Sequence, residues 1–152
     1  MKNRRKIVKC LIIFLILIIA DQVVKKIFIN VNIEIIPNIL SLKYLENTGV
    51  AFSMGKNIEV IIGINIIILI AILVAIVKFW NNNYIYSLII VLSGGVGNLI
   101  DRIAHCYVID YIKVLNFSTF NLADIFITVG IIVLIIQIFK KINLSVDWLK
   151  LK

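Results

Sequence analysis

Two aspartates stand where carboxylates are expensive. Asp110 lies in Val108-Ile109-Asp110-Tyr111, and Asp124 lies in Phe120-Asn121-Leu122-Ala123-Asp124, just inside the last apolar run. An ionisable side chain at membrane depth is read as functional by default. Two carboxylates that meet there would share one proton, because both cannot ionise cheaply. One could then act as a base towards water and the other as an acid towards a carbonyl oxygen, and their titration would belong to the pair. The plain alternative is that Asp110 caps a loop and Asp124 pairs with Arg102. The residues alone leave both readings open.

Other polar clusters interrupt the apolar pattern. Asp21-Gln22-Val23-Val24-Lys25 could be an interfacial helix end with snorkelling lysines, although a carboxylate cannot snorkel far. In Ser93-Gly94-Gly95-Val96-Gly97-Asn98-Leu99-Ile100-Asp101-Arg102 the glycines permit close helix packing. Asn98 and Arg102 share a helix face, and Asp101 is three positions from Asn98. A guanidinium there could hold a carboxylate, a phosphate or a carbonyl. Asn47-Thr48-Gly49-Val50-Ala51-Phe52-Ser53 is, on spacing alone, a turn and a strand. His105 has no second ligand partner and reads as a loop residue; no metal-ligand spacing occurs, and no metal or cofactor is expected.

The elements that must position these residues are membrane spans. Of 152 residues 62% are hydrophobic, and the mean hydropathy is +1.09, well beyond a soluble domain. An all-α polytopic membrane protein with four transmembrane helices is expected, as a single domain over 1–152. The helices are placed at about 7–29, 58–77, 84–101 and 121–139, where a span needs about 20 residues. Only the second run, Val60 to Val77, is long enough without its polar flanks. The other three must include them, which sets Asp21, Asp101 and Asp124 at or just below the headgroups.

The net charge of +8 is concentrated at the ends. Lys2, Arg4, Arg5, Lys6 and Lys9 crowd the N-terminus, and Lys140, Lys141, Lys150 and Lys152 the C-terminus. That pattern predicts cytoplasmic termini against anionic lipid and excludes a nucleic-acid surface. Four spans then put 31–57 and 102–120 outside. Seven of the eight acidic residues fall on that outer side, Asp147 alone inside. Cys10 and Cys106 would be a membrane thickness apart, too far for a disulfide.

The 31–57 segment is expected to form a small β cradle on the outer face. Leu40 to Glu46 alternates apolar and polar, Asn47-Thr48-Gly49 reads as a turn, and Val50-Ala51-Phe52 could return as a paired strand. The 102–120 segment is read as an outer loop and 140–152 as a cytoplasmic tail. Within that tail 143–152 could form a short amphipathic helix anchored by Trp148.

Five motifs occur in one order: Asp21-Gln22 with Lys25, Asn47-x-Gly49 with Ala51-Phe52, Gly97-Asn98-x-x-Asp101-Arg102, Val108-Ile109-Asp110, and Phe120-Asn121-x-Ala123-Asp124. Together they resemble lipoprotein signal peptidase (signal peptidase II), over nearly the whole chain. The resemblance implies an aspartic endopeptidase of the bacterial cytoplasmic (inner) membrane with its active site near the outer face. Such enzymes remove signal peptides from prolipoproteins, cutting just before a diacylglyceryl-modified cysteine. The resemblance maps the catalytic pair onto Asp110 and Asp124. It maps substrate-binding or supporting roles onto Asp21, Lys25, Asn47, Gly49, Asn98, Asp101, Arg102, Asn121 and Ala123. It also implies membrane lipids and globomycin-type inhibitors as partners. Nothing in the sequence demands a partner subunit, so a monomer is expected. Val24, Val50 and Tyr111 depart from the family's usual residues and are read as peripheral to the chemistry.

A small channel subunit is the main rival. It would need a polar path through the spans, whereas Asn65 and Gln137 are the only strongly polar residues deep in the second and fourth. A non-enzymatic assembly factor is the other, and it would tolerate Asp→Asn changes.

Overall fold

Backbone amides in lipid must find partners within the chain, so long apolar runs become helices. A computed structural model describes residues 2–49, 57–115 and 118–150, with side chains from Asn3 to Ile142 within those stretches. Among the described residues four helices are long and apolar enough to cross a membrane: α1 (Lys2–Ile27), α2 (Ile58–Lys78), α3 (Tyr84–His105) and α4 (Leu122–Lys150). A small antiparallel sheet, β1 (Asn32–Ile36), β2 (Leu40–Asn47), β3 (Val108–Val114) and β4 (Ser118–Phe120), joins them in the order β1-β2-β3-β4.

Half of that sheet comes from the 102–120 segment, expected as a loop. α3 continues past Asp101 to His105 before Cys106 turns left-handed (φ 65°) and its N–H caps Arg102 O at 3.0 Å. β3 then follows at once. Its first four residues are all buried, so it lacks the alternation that marks a half-exposed strand. That is why the sequence pattern passes over it. The β1–β2 hairpin is easier to trace to sequence. Pro37 presets one central turn residue and Asn38 takes the positive φ (59°) at the next, while Ile39 N–H closes the turn on Ile36 O at 3.0 Å. The return strand expected at Val50-Ala51-Phe52 and the side chain of Trp148 lie outside the described residues.

α3 is the hub and packs against each of the other three helices. Within the apolar window of each helix, 61% of α3 is buried inside the protein, against 11% for each of the others. The lipid-facing helices can be apolar all round, whereas α3 can carry glycine, serine and charge because protein surrounds it. Close approach is built in at two glycines. A Cβ on Gly94 would collide with the Ala123 carbonyl of α4, and one on Gly97 would stand 2.6 Å from Asp21 Oδ2 of α1.

The two ends of the bundle differ. At one end an apolar cluster of Cys10, Leu69, Ile76, Ile85, Leu88, Ile89 and Leu92 fills the interior. There Lys6 reaches across to the α2–α3 turn, donating to Trp80 O and Asn82 O and lying 5.6 Å over the Trp80 ring. At the other end, under the sheet, the interior is polar.

Candidate active site

The polar interior is built in three layers. The first is ionic. Asp21 and Lys25 lie one turn apart on α1, and the ammonium is 2.8 Å from Asp21 Oδ2 and 2.9 Å from Asp101 Oδ2 of α3. All three side chains are at most 2% exposed. Gln22 completes the layer, sharing its two amide N–H groups among Asp21 Oδ2 (3.2 Å), Asp101 Oδ1 (3.0 Å) and Gly97 O (3.2 Å). Asp101 Oδ2 also accepts the Ile109 N–H at 3.1 Å, which ties the start of β3 to α3.

The second layer caps α4. The first amides of a helix have no partner within it. Here Leu122 N–H donates to Tyr111 OH (3.0 Å), Ala123 N–H to Asp21 Oδ1 (3.0 Å) and Asp124 N–H to Asn121 Oδ1 (3.0 Å). Asp124 Oδ2 in turn accepts Asn121 N–H at 3.2 Å, the reciprocal pattern of a capping box. Three elements, α1, β3 and the N-cap itself, therefore fix where α4 begins and so where Asp124 points. The negative Asp21 also suits the positive end of the helix dipole. Ala123 is fully buried, pinned between Asp21 and the Gly94–Gly97 face of α3.

The third layer holds Asp110 and Asp124. Asn98 Nδ2 donates to Asp124 Oδ1 at 2.8 Å. Asn98 Oδ1 accepts from Lys25 Nζ and from Asn121 Nδ2, each at 3.1 Å. Asn121 Nδ2 also donates to Asp110 Oδ1 at 2.9 Å. The ammonium can only donate, so it fixes which way the Asn98 amide faces, and the donors then run outward to both aspartates. Asp110 Oδ2 accepts from Asn47 Nδ2 (2.9 Å) and Thr119 Oγ1 (3.1 Å). Asn47 Oδ1 meanwhile accepts Gly49 N–H at 2.9 Å. Gly49 has φ 77°, so a side chain there would be strained.

Asp110 is fully buried and Asp124 only half-buried. Burial pushes the Asp110 carboxyl above the ordinary carboxylate range. The Asn47 hydrogen bond opposes this, the Asp124 charge adds to it, and the Thr119 and Asn121 hydrogen bonds oppose it further. The Asp124–Arg102 ion pair is not formed: among the described residues neither Asp110 nor Asp124 belongs to an ion pair. Arg102 instead touches Asn98 O at 3.5 Å and keeps its buried Nε without a partner. Among the described residues no cluster could hold a metal ion.

Every residue singled out from the five motifs and described here falls in this polar interior or on its rim. The spacing did not reveal Gln22's three acceptors, the Tyr111 cap or Thr119. Tyr111, set aside as peripheral, is buried, stacked on Phe28 at 4.6 Å, and holds the first amide of α4. Its phenol is pushed up to about 12, mainly by burial, so the cap stays neutral. Thr119 carried no signal, because one hydroxyl in a short polar stretch resembles any turn residue. Val50 lies outside the described residues.

The family model for signal peptidase (SPase) II matches residues 13–140. The lipoprotein signal peptidase of Streptococcus agalactiae (serotype Ia) is 40% identical over 140 residues, 86% of this chain and 91% of that one. The one from Caldicellulosiruptor bescii is 38% identical over 129 residues, 81% of this chain and 85% of that one. A bacterial membrane enzyme solved in meso at 2.3 Å superposes with a TM-score of 0.75 at 30% identity, covering 87% of this chain and 88% of that one. A second, solved at 1.9 Å, superposes with a TM-score of 0.72 at 28% identity, covering 87% and 93%.

Proposed function

The chain belongs to the signal peptidase II family, and we propose that it is an aspartic endopeptidase in which Asp110 and Asp124 activate water. It is a multi-pass bacterial membrane protein and acts on lipoproteins. In this reading the substrate carries a diacylglyceryl cysteine and is cut on the N-terminal side of that residue. The observation that carries the reading is the amide bridge through Asn98 and Asn121. It links the two carboxylates through neutral donors, with neither in an ion pair among the described residues.

Desolvation favours one proton on such a pair. Asp110, buried and shifted upward, suits the acid; Asp124, half-buried, suits the base. Asp124 takes a proton from water as its oxygen attacks the scissile carbonyl. Asp110 gives its proton to the carbonyl oxygen, and a tetrahedral gem-diol forms. Its collapse breaks the C–N bond, the departing nitrogen takes the proton from Asp124, and a hydroxyl proton returns to Asp110. No cofactor enters. Arg102, with unfilled donors beside the pair, would hold a backbone carbonyl of the bound peptide. Asp21, Lys25 and Asp101 brace α1, α3 and α4, while Asn47 and Gly49 set the edge under which the peptide lies.

The clustered terminal lysines and arginines support cytoplasmic termini and a site near the outer face of the inner membrane. A lipid-anchored cysteine stays at that depth, in contact with membrane lipids. Globomycin-type inhibitors would occupy the same site, and one chain contains every group invoked.

The test is cleavage of a diacylated prolipoprotein, followed by gel shift. Asp110→Asn and Asp124→Asn should each abolish processing while the protein still inserts. Full activity in either variant overturns the pair.

A further inference from the structure

The two oxygens of Asp110 are not equivalent. Oδ2 accepts two hydrogen bonds, from Asn47 Nδ2 at 2.9 Å and Thr119 Oγ1 at 3.1 Å. Oδ1 accepts one, from Asn121 Nδ2 at 2.9 Å. A carboxylate offers about four lone-pair sites, two on each oxygen. Oδ2 is therefore full, and Oδ1 keeps one site. Oδ2 faces β2 and β4, whereas Oδ1 is on the side bridged through Asn121 and Asn98 to Asp124.

We infer that Thr119 is a positioning residue for the reaction: its hydroxyl closes Oδ2 and confines the proton that Asp110 exchanges to Oδ1. The inference rests on the Asp110/Asp124 reading above. A proton on Oδ2 would point into the sheet, unable to reach a carbonyl held between the two aspartates. A proton on Oδ1 points into the space they share. Asn47 alone leaves Oδ2 with an open site, so the second donor decides the matter. β4 exists at the right place to supply it: Thr119 is held by its pairing with Lys113 in the antiparallel β3–β4 register.

Two consequences follow from the chemistry of one lost donor. The ionised form of Asp110 loses a charge-assisted hydrogen bond, so its proton is held more tightly. The acid is also misplaced part of the time, which slows the step and leaves peptide binding unchanged.

The experiment compares Thr119→Val, which keeps the shape and removes the hydroxyl, with Thr119→Ser, which keeps the hydroxyl and removes the methyl. Both are measured against wild type and Asp110→Asn on a diacylated lipobox peptide across pH. For Thr119→Val kcat should fall about tenfold, KM should hold, and the limb on which activity declines with rising pH should move upward. Thr119→Ser should restore both kcat and the limb. Wild-type kcat and pH profile in Thr119→Val, or equal impairment of the two variants, overturns the inference. An inactive Asp110→Asn in the same assay leaves the aspartate pair standing in that event, whereas an active one removes both. Should Thr119→Val not fold, Thr119→Ala against Thr119→Ser gives the same contrast with the same two outcomes.

Discussion

Asp21/Asp101 and Asp110/Asp124 pose the same electrostatic problem at neighbouring positions, and the chain answers it differently in each. Asp21 and Asp101 close on a lysine at 2.8 and 2.9 Å, and Gln22 and backbone amides add further donors to each. Asp110 and Asp124 have only neutral donors: three asparagine amides, one threonine and one backbone N–H. A cation in contact pairs with both carboxylates and turns them into braces. Neutral donors hold geometry and only partly offset the burial that raises Asp110, so its proton can come and go. The two pairs are joined through Asn98, which accepts from Lys25 and donates to Asp124. The ionic layer thus orients the proton-exchanging layer without neutralising it.

The comparison can be broken most severely at the pair with no cation. Asp110→Asn or Asp124→Asn should lower cleavage by about 10²–10⁴-fold, as expected when an acid or base is lost. Next comes the ionic layer, where the effect is on folding. Lys25→Met leaves two buried carboxylates facing each other. It should cost about 3–5 kcal/mol, read as a lower Tm in detergent; an unchanged Tm would show that the lysine is not the brace described here. A smaller effect is expected where the layers meet α4. Tyr111→Phe keeps the stack on Phe28 and removes the acceptor of the Leu122 N–H. The loss should be about 1 kcal/mol, with activity changed by no more than a few-fold.

The smallest effect is a pH slope. Burial raises Asp110 in the folded protein. A group raised on folding contributes its full stability below its unfolded value and loses it as pH climbs through the folded value. Asp110→Asn removes that loss. The Tm of the variant minus that of wild type should therefore grow more positive as pH rises from about 4, the ordinary carboxylate value, through the raised value of Asp110. A difference that shrinks over that range would contradict a buried carboxyl raised in the fold.

Much of the candidate site was legible because its residues interrupt apolar runs. A charge among isoleucines is conspicuous, and Asp21, Lys25, Asp101, Arg102 and Asp124 all stand out in that way. Thr119 and Tyr111 do not, since a threonine beside a serine and a tyrosine in an apolar run are ordinary. β3 was missed for a related reason: its start is buried on both faces and its pattern resembles any short apolar run. The β1–β2 hairpin carries its own signal in Pro37-Asn38, a turn that two residues specify locally.

The sequence by itself determined four helices and the polar character of one end of the bundle. Helix hydrogen bonds run between near neighbours, and about 20 apolar residues suffice for a span. Tertiary structure alone decided which donor meets which oxygen. Ala123 N–H reaches Asp21 across 102 positions of chain, Asn47 reaches Asp110 across 63, and Lys25 reaches Asn98 across 73. Such partners are set by how glycines let α1, α3 and α4 approach and by the register of β2 on β3. No local pattern encodes those distances, because each depends on two surfaces far apart in sequence packing against one another.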